Sequence, residues 1–267
     1  MPLLTIPMGL LIGLALGALG GGGSILTVPA LVYALGQAPR TATTSSLLIV
    51  GTSSLLALVP HARARRVRAG QGLLFGILGT AGSFGGSALS ARVPREVLLG
   101  TFAALMLVVA TLMLRRSGDQ QEEGPDVSAQ RQMTLHPFTC ACAWVARLVL
   151  TATAVGLLTG FFGVGGGFAL VPALVLALGY DMPTAVGTSL LVIAVNSGTA
   201  LLARLSGEDN HLDWALIVGF TAAAVTGSLV GGRITSRANP QHLARSFAVL
   251  LIAVGLYTAT RSVTDLF

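Results

Sequence analysis

Two runs of glycine are the residues in this sequence whose type and spacing could bind a ligand. Residues 20–23 are all glycine and precede Ser24, and residues 163–167 are glycine with one exception. Each run opens a short apolar stretch that contains one proline, Pro29 or Pro172. A helix start offers unpaired N–H groups and the positive end of a dipole, and glycine lets an anion approach the backbone closely. The runs therefore predict anion-binding helix starts, with a tight turn and close helix packing as the alternative.

Hydroxyl side chains follow each glycine run. Residues 43–46 are Thr-Thr-Ser-Ser, and Thr188 and Ser189 occupy the matching place in the second half, with Asn196 two turns further on. Hydroxyls near a helix start either cap the helix or donate hydrogen bonds to a ligand, and the sequence leaves both open. The candidate substrate-binding residues are Gly22, Gly23, Ser24, Thr44, Ser45, Ser46, Gly165, Gly166, Gly167, Thr188, Ser189 and Asn196.

Nucleotide-binding glycine motifs do not fit these runs. A phosphate-binding loop needs a lysine after its last glycine, and the chain contains no lysine. A dinucleotide-binding G-x-G-x-x-G would need glycine where Ile25 or Phe168 stands. We therefore expect no nucleotide cofactor.

Catalytic and metal-binding clusters are not expected either. We place the four histidines in loops or at the ends of spans, where they should be solvated, and interpret Cys140 and Cys142 as buried small apolar residues. Without a nucleophile beside a base, or a set of metal ligands, the sequence predicts neither an enzyme nor a bound metal. The histidines are His61, His136, His211 and His242.

The composition requires a lipid environment for this chain. Of its 267 residues 53% are hydrophobic and 10% are charged, whereas soluble chains carry about 25% charged residues. So few charges could not cover the surface of a soluble protein of this size. The formal charge of +6 comes from arginines between apolar stretches, which we interpret as membrane topology and not as binding of nucleic acid. The first apolar stretch lacks the features of a signal peptide and is expected to be retained.

An internal repeat organises the sequence. A shift of 143 residues places residues 13–36 on residues 156–179 and residues 41–48 on residues 184–191. After a two-residue insertion, Phe102 falls on Phe247. We therefore predict three parts, a first membrane repeat at 1–116, a polar cytoplasmic linker at 117–142 and a second membrane repeat at 143–267.

Each repeat contains five apolar stretches, in which we expect no interior charge. Most approach the ~20 residues that a spanning helix needs, but 24–35 and 168–178 have about half that length and predict half-helices. Non-helical backbone survives at membrane depth only inside protein or beside a watery cavity, so the glycine runs should be interior. The stretches are 3–19, 24–35, 41–60, 70–91 and 97–114, then 143–162, 168–178, 184–203, 212–232 and 243–260.

The charges of the loops predict the orientation of the two repeats. The loop 61–68 carries four arginines, whereas the matching loop 204–213 carries one arginine and three acidic residues. Because arginine concentrates on the cytoplasmic side, the two loops should face opposite sides. The predicted fold is an all-α polytopic membrane protein with two inverted repeats, each a glycine-broken hairpin with a half-helix plus three membrane-spanning helices. The loop 61–68 and the linker should face the cytoplasm, and both termini the outside.

The repeated motifs resemble a known family. A glycine-rich segment runs into V-P-A-L at 28–31 and again at 171–174, followed by T-S-S-L at 44–47 and G-T-S-L at 187–190. These two motifs, in the same order in both halves, are similar to those of the sulfite exporter TauE/SafE family. The resemblance covers nearly the whole chain. The resemblance implies a secondary transporter or facilitator that exports small sulfur-containing anions, sulfite or an organosulfonate such as sulfoacetate, across the inner membrane.

Other functions stay open at this point. The chain could be an uptake carrier or channel for another small anion, or a membrane scaffold subunit that transports nothing. The expected partners are a small anion and the lipid bilayer, and the sequence gives no oligomeric state. No cofactor is expected. Residues 44–46 are Thr-Ser-Ser where the second repeat has Gly-Thr-Ser at 187–189, so the two hydroxyl clusters need not have equal roles.

Overall fold

The computed structural model describes residues 2–90, 93–119, 141–162, 167–205, 213–237 and 239–264, which are built from helices and short turns. Six helices in these ranges are long and apolar enough to cross a membrane, judged by length and composition. The prediction of an all-α polytopic membrane protein is confirmed. The helices are α1 (Pro2–Leu19), α2 (Gly22–Pro29) with a π-helical continuation (Ala30–Ala34), α3 (Pro39–Arg63), α4 (Ala69–Ser90), α5 (Arg95–Asp119), α6 (Ala141–Phe162), α7 (Gly167–Leu176), α8 (Met182–Leu205), α9 (Trp214–Arg237) and α10 (Pro240–Thr264).

The first two helices form a hairpin. Gly20 has a φ of +69°, a left-handed conformation that glycine adopts without a steric penalty. Beyond this turn Gly23 faces α1, since a Cβ on Gly23 would lie 2.6 Å from the carbonyl oxygen of Ile12 and 2.6 Å from the Cβ of Leu16. The half-helix α2 therefore folds back along the last turns of α1.

Proline shapes the end of this half-helix. Pro29 has no backbone N–H, and the chain after it continues as a π-helix in which the Leu35 amide donates to the Ala30 carbonyl at 3.2 Å. In the second repeat α7 contains Pro172 and ends after Leu176. Both half-helices are followed by a glycine of positive φ, Gly36 at +68° and Gly179 at +72°, and these two glycines are aligned by the repeat.

Two pairs of helices touch backbone to backbone. α1 packs on α9 and α4 packs on α6. A Cβ on Gly17 would overlap the carbonyl of Ser228, and a Cβ on Gly160 would overlap the carbonyl of Ser83. Gly17 aligns with Gly160, and Ser83 aligns with Ser228, so the two crossings use the same positions of the repeated sequence. The regularly spaced glycines are packing faces, which lets the helices approach closely.

The contacts also give the directions of the helices. α3 and α8 run antiparallel, because the middle of α3 at Gly51 lies against Ser197 while the end of α3 at His61 lies against Gly187. A Cβ on Gly51 would lie 3.1 Å from the Cβ of Ser197, and a Cβ on Gly187 would lie 3.2 Å from the Cβ of His61. α3 and α8 hold the same place in the two copies of the repeated sequence.

The core lies around the half-helices. Phe168, at the start of α7, is fully buried and meets Phe102 of α5 edge to face, with ring centroids 5.2 Å apart. Phe102 also packs on Phe162 at the end of α6. On the outer faces large apolar side chains are exposed, among them Phe84 and Ile77 of α4, as expected of helices that face lipid.

Three charges lie inside predicted apolar stretches. The expectation of no interior charge is wrong for Arg147 in the second turn of α6, Asp213 immediately before α9 and Arg245 in the second turn of α10, all of which are exposed. The long arginine stem lets the guanidinium reach from this depth toward the membrane surface. The predicted linker 117–142 lies mostly outside the described residues.

Candidate functional site

The starts of the two half-helices lie against one another inside the protein. A Cβ on Gly21, immediately before α2, would overlap the carbonyl oxygen of Gly167, the first residue of α7. Ser24 is buried beside them and donates a hydrogen bond to the Gly21 carbonyl at 2.7 Å. The structure thus brings together the positive ends of two helix dipoles, one from each repeat.

The predicted glycines divide into three groups. Gly22 and Gly167 are the first residues of α2 and α7. Gly23 lies against α1, so its role in the structure is close packing. Gly165 and Gly166 lie outside the described residues.

The first hairpin also meets the hydroxyl cluster of the second repeat. A Cβ on Gly20 would overlap the hydroxyl oxygen of Ser189 on α8 and would lie 3.1 Å from Cγ2 of Val171 on α7. A glycine turn and a buried hydroxyl that are far apart in sequence therefore share one place in the fold. The contact joins the glycine run of the first repeat to Ser189, a predicted site residue of the second repeat.

Two of the buried hydroxyls serve their own helices. Ser46 donates to the carbonyl of Thr43 at 2.8 Å, and Ser189 donates to the carbonyl of Val186 at 2.8 Å. Ser46 and Ser189 are aligned by the repeat, so both copies use the same bond. A hydroxyl carries one hydrogen, which means that neither serine can donate to an anion while these bonds hold.

The neighbouring pair of hydroxyls differs between the copies. Thr188 is fully buried and accepts a hydrogen bond from the backbone N–H of Arg68 at 3.2 Å. The aligned residue Ser45 is equally buried, and its hydroxyl has no hydrogen-bond partner among the described residues. A buried hydroxyl that stays unsatisfied costs about 1–3 kcal/mol. Ser45 is therefore the predicted site residue whose O–H is not used by the described part of the chain. Thr44 is buried and has a partner of its own.

Asn196 belongs to a different contact. The Thr80 hydroxyl of α4 donates to the Gly76 carbonyl at 2.9 Å and lies 3.2 Å from the Asn196 Oδ1, and the glycines Gly76 and Gly79 of α4 make room for the amide. Asn196 follows Ser189 by seven residues, which is about 10 Å along a helix. The structure places it on the α4–α8 interface.

Comparison with known proteins decides the family. The model of the family "Sulfite exporter TauE/SafE" matches residues 5–258. This chain belongs to that family. Its relatives include a probable membrane transporter protein of Xylella fastidiosa (strain 9a5c), 34% identical over 97% of this chain and 95% of the relative. The probable membrane transporter protein YdhB of Bacillus subtilis (strain 168) is 27% identical over 88% of this chain and 90% of its own length.

A further relative is less similar in sequence. The probable membrane transporter protein MJ0441 of Methanocaldococcus jannaschii is 23% identical over 96% of both chains. No solved structure matches the chain. Because its family and its relatives are membrane transporters, the TauE/SafE protein is a multi-pass membrane transporter and not an enzyme.

One expectation about this TauE/SafE transporter is wrong. His61 is not solvated but buried at the end of α3, with 3% of its surface exposed, whereas His242 on α10 is exposed. His136 and His211 lie outside the described residues. Four arginines follow His61 in the sequence, which is typical of a loop, but helices α8 and α9 from distant parts of the chain cover it. Within the described ranges no group of three or more His, Cys, Asp or Glu could hold a metal ion.

Proposed function

We propose that this TauE/SafE transporter exports small sulfur-containing anions, sulfite or an organosulfonate such as sulfoacetate, across the inner membrane, as a secondary transporter or a facilitator. The observation that carries the proposal is the contact of Gly21 with Gly167, which joins two half-helix starts inside the bundle. The backbone N–H groups and dipoles at these starts favour a negative charge.

The chemistry of the side chains around these starts suits an anion that must bind and leave. Among the residues named from the sequence, the proposed donors are the backbone N–H groups at Gly22 and Gly167, which begin α2 and α7, and the Ser45 hydroxyl, which has no internal partner in the described residues. Sulfite and sulfonate groups carry several oxygens that accept hydrogen bonds from N–H and O–H groups. Neutral donors hold such an anion less firmly than a buried arginine would, so release stays fast.

The two repeats are proposed to be inverted relative to each other. Support comes from the antiparallel run of α3 and α8, which are aligned copies of one sequence, and from the two matching crossings at Gly17 and Gly160. In this arrangement each repeat is a hairpin with a half-helix followed by three spans, at 1–116 and 143–267. Substrate sites of inverted-repeat transporters lie near the midplane, where discontinuous helices meet.

The arginines of one loop determine the proposed orientation of the protein in the membrane, and the membrane potential acting on the charged anion supplies the proposed driving force. The loop 64–68, which contains Arg65, Arg66 and Arg68, is proposed to face the cytoplasm. An outside-positive membrane potential then favours the exit of an anion by about 2.3 kcal/mol per charge per 100 mV. The potential alone can therefore drive export of a permanently ionised sulfonate.

Thermal stabilisation by anions tests the binding site. A ligand that binds only the folded state raises the melting temperature, so sulfite or sulfoacetate should stabilise the purified protein more than sulfate or oxalate does. Ser45→Ala should abolish that shift without lowering the stability of the ligand-free protein, because it removes an unsatisfied buried hydroxyl. Ser46→Ala is the matched control and should keep the shift. Equal shifts in both variants, or no shift with any of the four anions, would contradict the proposed site.

A further inference from the structure

The loop that follows α3 lies on a predicted binding residue of the second repeat. The backbone N–H of Arg68 donates to the hydroxyl of the fully buried Thr188 at 3.2 Å. One residue earlier on α8, a Cβ on Gly187 would overlap the carbonyl oxygen of Arg66. The side chains of Arg65 and Arg68 are exposed, so the backbone of this loop separates Thr188 from solvent.

Two more hydrogen bonds join distant helices. The Tyr180 hydroxyl, just before α8, donates to the side-chain oxygen of Gln71 in the first turn of α4. The buried Thr235 hydroxyl of α9 lies 2.8 Å from the Ala18 carbonyl of α1, closer than the 3.1 Å to the Gly231 carbonyl of its own helix. The Thr235 hydroxyl therefore donates to the end of α1.

The glycines show that these three contacts lie at one end of the bundle. A Cβ on Gly72 of α4 would lie 3.2 Å from Cγ2 of Thr188. A Cβ on Gly232 of α9 would lie 3.5 Å from Cγ of Pro60, near the end of α3. The end of α3, the starts of α4 and α8 and the end of α9 are thus neighbours at the end that carries the arginine-rich loop.

The repeat predicts matching residues at the opposite end, and they do not make these contacts. Thr188 aligns with Ser45, and Tyr180 aligns with Gln37. Neither the Ser45 hydroxyl nor the Gln37 Oε1 has a hydrogen-bond partner in the part of the chain that the structure describes.

The remaining matching residues also lack these contacts. Leu216 stands at the position aligned with Gln71 and has no polar side chain. Ser90 stands at the position aligned with Thr235, and its hydroxyl donates to the Ser87 carbonyl of its own helix at 2.9 Å. The three hydrogen bonds therefore distinguish one end of the bundle from the other.

One sequence difference between the repeats explains the contact of the loop. Gly187 leaves room for the Arg66 carbonyl, whereas the aligned position in the first repeat is Thr44, which carries a side chain. Backbone cannot approach α3 at Thr44 as closely as the loop approaches α8. The two hydroxyl clusters accordingly have unequal roles.

We propose that the three hydrogen bonds form a gate that closes this end of the transporter, with the loop 64–68 as a lid over Thr188. Because a carrier exposes its site to each side in turn, the gate must open during transport. It opens when the lid leaves α8 and the starts of α4 and α8 separate. The gate rests on the proposed inverted repeats and the proposed binding region, but not on which anion is carried.

Labelling of a buried cysteine measures the opening of the gate. In a background with Cys140 and Cys142 replaced by serine, Ser189→Cys places a thiol one residue after Thr188. Ser46→Cys is the aligned reporter in the first repeat. Both serines are buried, so each thiol should react slowly with an impermeant methanethiosulfonate reagent, applied separately to each side of sealed vesicles.

Loss of one gate hydrogen bond should speed the labelling of Ser189→Cys. Tyr180→Phe keeps the ring and removes only the hydroxyl that reaches Gln71, so the rate from the cytoplasmic side should rise about three- to tenfold. Thr235→Val keeps the shape of the side chain but cannot donate to α1, and it should have the same effect. Ser90→Ala is the matched control and should leave the rate unchanged.

The second reporter separates opening of the gate from general loosening. The rate of Ser46→Cys from the outside should not rise in Tyr180→Phe or Thr235→Val. Unchanged labelling of Ser189→Cys in both gate variants would overturn the gate, and so would a rise of equal size at both reporters. If Thr235→Val does not fold, Tyr180→Phe decides alone.

The side of labelling distinguishes a failure of the gate from a failure of the proposed function. A faster reaction of Ser189→Cys from the outside only would support the gate but contradict the proposed cytoplasmic position of the loop. The labelling needs no anion, so the gate is tested even if sulfite and sulfoacetate do not bind.

Discussion

Gly21 and Gly167 lie backbone against backbone at the point where the half-helices of the two repeats begin. Ser24, which is aligned with Gly167 by the repeat, contacts this glycine as well. When aligned positions meet each other in this way, the two copies share a self-complementary interface. The contact therefore links the packing of the repeats to the place where we propose that the anion binds.

Alanine at Gly21 should disrupt this contact. The added Cβ would overlap the Gly167 carbonyl, and overpacking of this kind costs about 1–3 kcal/mol. We expect a lower melting temperature in fluorescence-detected size-exclusion chromatography, or loss of folded protein. Gly198→Ala is the control, because a Cβ on Gly198 of α8 has open space around it and alanine favours a helix. Equal stability of the two variants would count against the contact.

The two glycine crossings should respond equally to substitution. Gly17→Ala pushes α1 from α9, and Gly160→Ala pushes α6 from α4, each by overlap with a serine carbonyl. Each variant should therefore lose about 1–3 kcal/mol of stability, measured by thermal or denaturant unfolding in detergent. Gly219→Ala on α9, where a Cβ meets open space, should change little. Destabilisation by only one of the two crossing variants would show that the crossings are not equivalent.

Accessibility of single cysteines tests the inverted arrangement. In a background with Cys140 and Cys142 replaced by serine, cysteines at the exposed positions Ala64 and Asn239 should react with an impermeant reagent from the cytoplasmic side. A cysteine at Asp213, before α9, should react from outside. Positions 213 and 239 should be labelled from opposite sides because α9 crosses the membrane between them. Labelling of Ala64 and Asp213 positions from the same side would rule out inverted repeats.

The membrane potential should drive sulfonate flux. Asp181 is exposed and accepts the Thr184 amide at the start of α8, so it serves as a helix cap and not as a buried proton carrier. With the potential set by a potassium gradient in proteoliposomes, flux should follow the potential at fixed pH. Asp181→Asn, which preserves the cap, should leave the flux unchanged. Flux that ignores the potential, follows a pH step and loses that response in Asp181→Asn would make this carboxylate the coupling group.

Most helix positions followed from the sequence because lipid imposes a simple length rule. The predicted stretch 41–60 became Pro39–Arg63, and the predicted half-helix 24–35 became a helical segment that begins at Gly22 and ends at Ala34. Proline at position 29 explains the π-helical turn but could not specify it, since proline also ends helices or kinks them.

The sequence could not predict which individual polar side chains are buried or which of them are hydrogen-bonded. Ser45 and Ser46 are adjacent and of one type, yet only Ser46 is oriented so that its hydroxyl reaches a carbonyl of its own helix. His61 follows an apolar stretch and precedes arginines, so nothing local marks it as buried. It is buried because α8 at Gly187 and α9 at Gly232 pack against it, and these helices are distant in the sequence, so its burial is a property of packing and not of composition.

Counterflow in proteoliposomes is the most direct test of the central proposal, that the protein carries a small sulfur-containing anion which binds where the two half-helices begin. Vesicles that contain the purified protein and a high internal concentration of unlabelled sulfite or sulfoacetate should transiently accumulate the same labelled anion, while sulfate and oxalate should exchange more weakly. Ser45→Ala should reduce the initial rate by about tenfold, the loss expected for one hydrogen bond to a charged ligand, and Ser46→Ala should not. No accumulation of any of the four anions by folded wild-type protein, or equal rates for the two serine variants, would contradict the account.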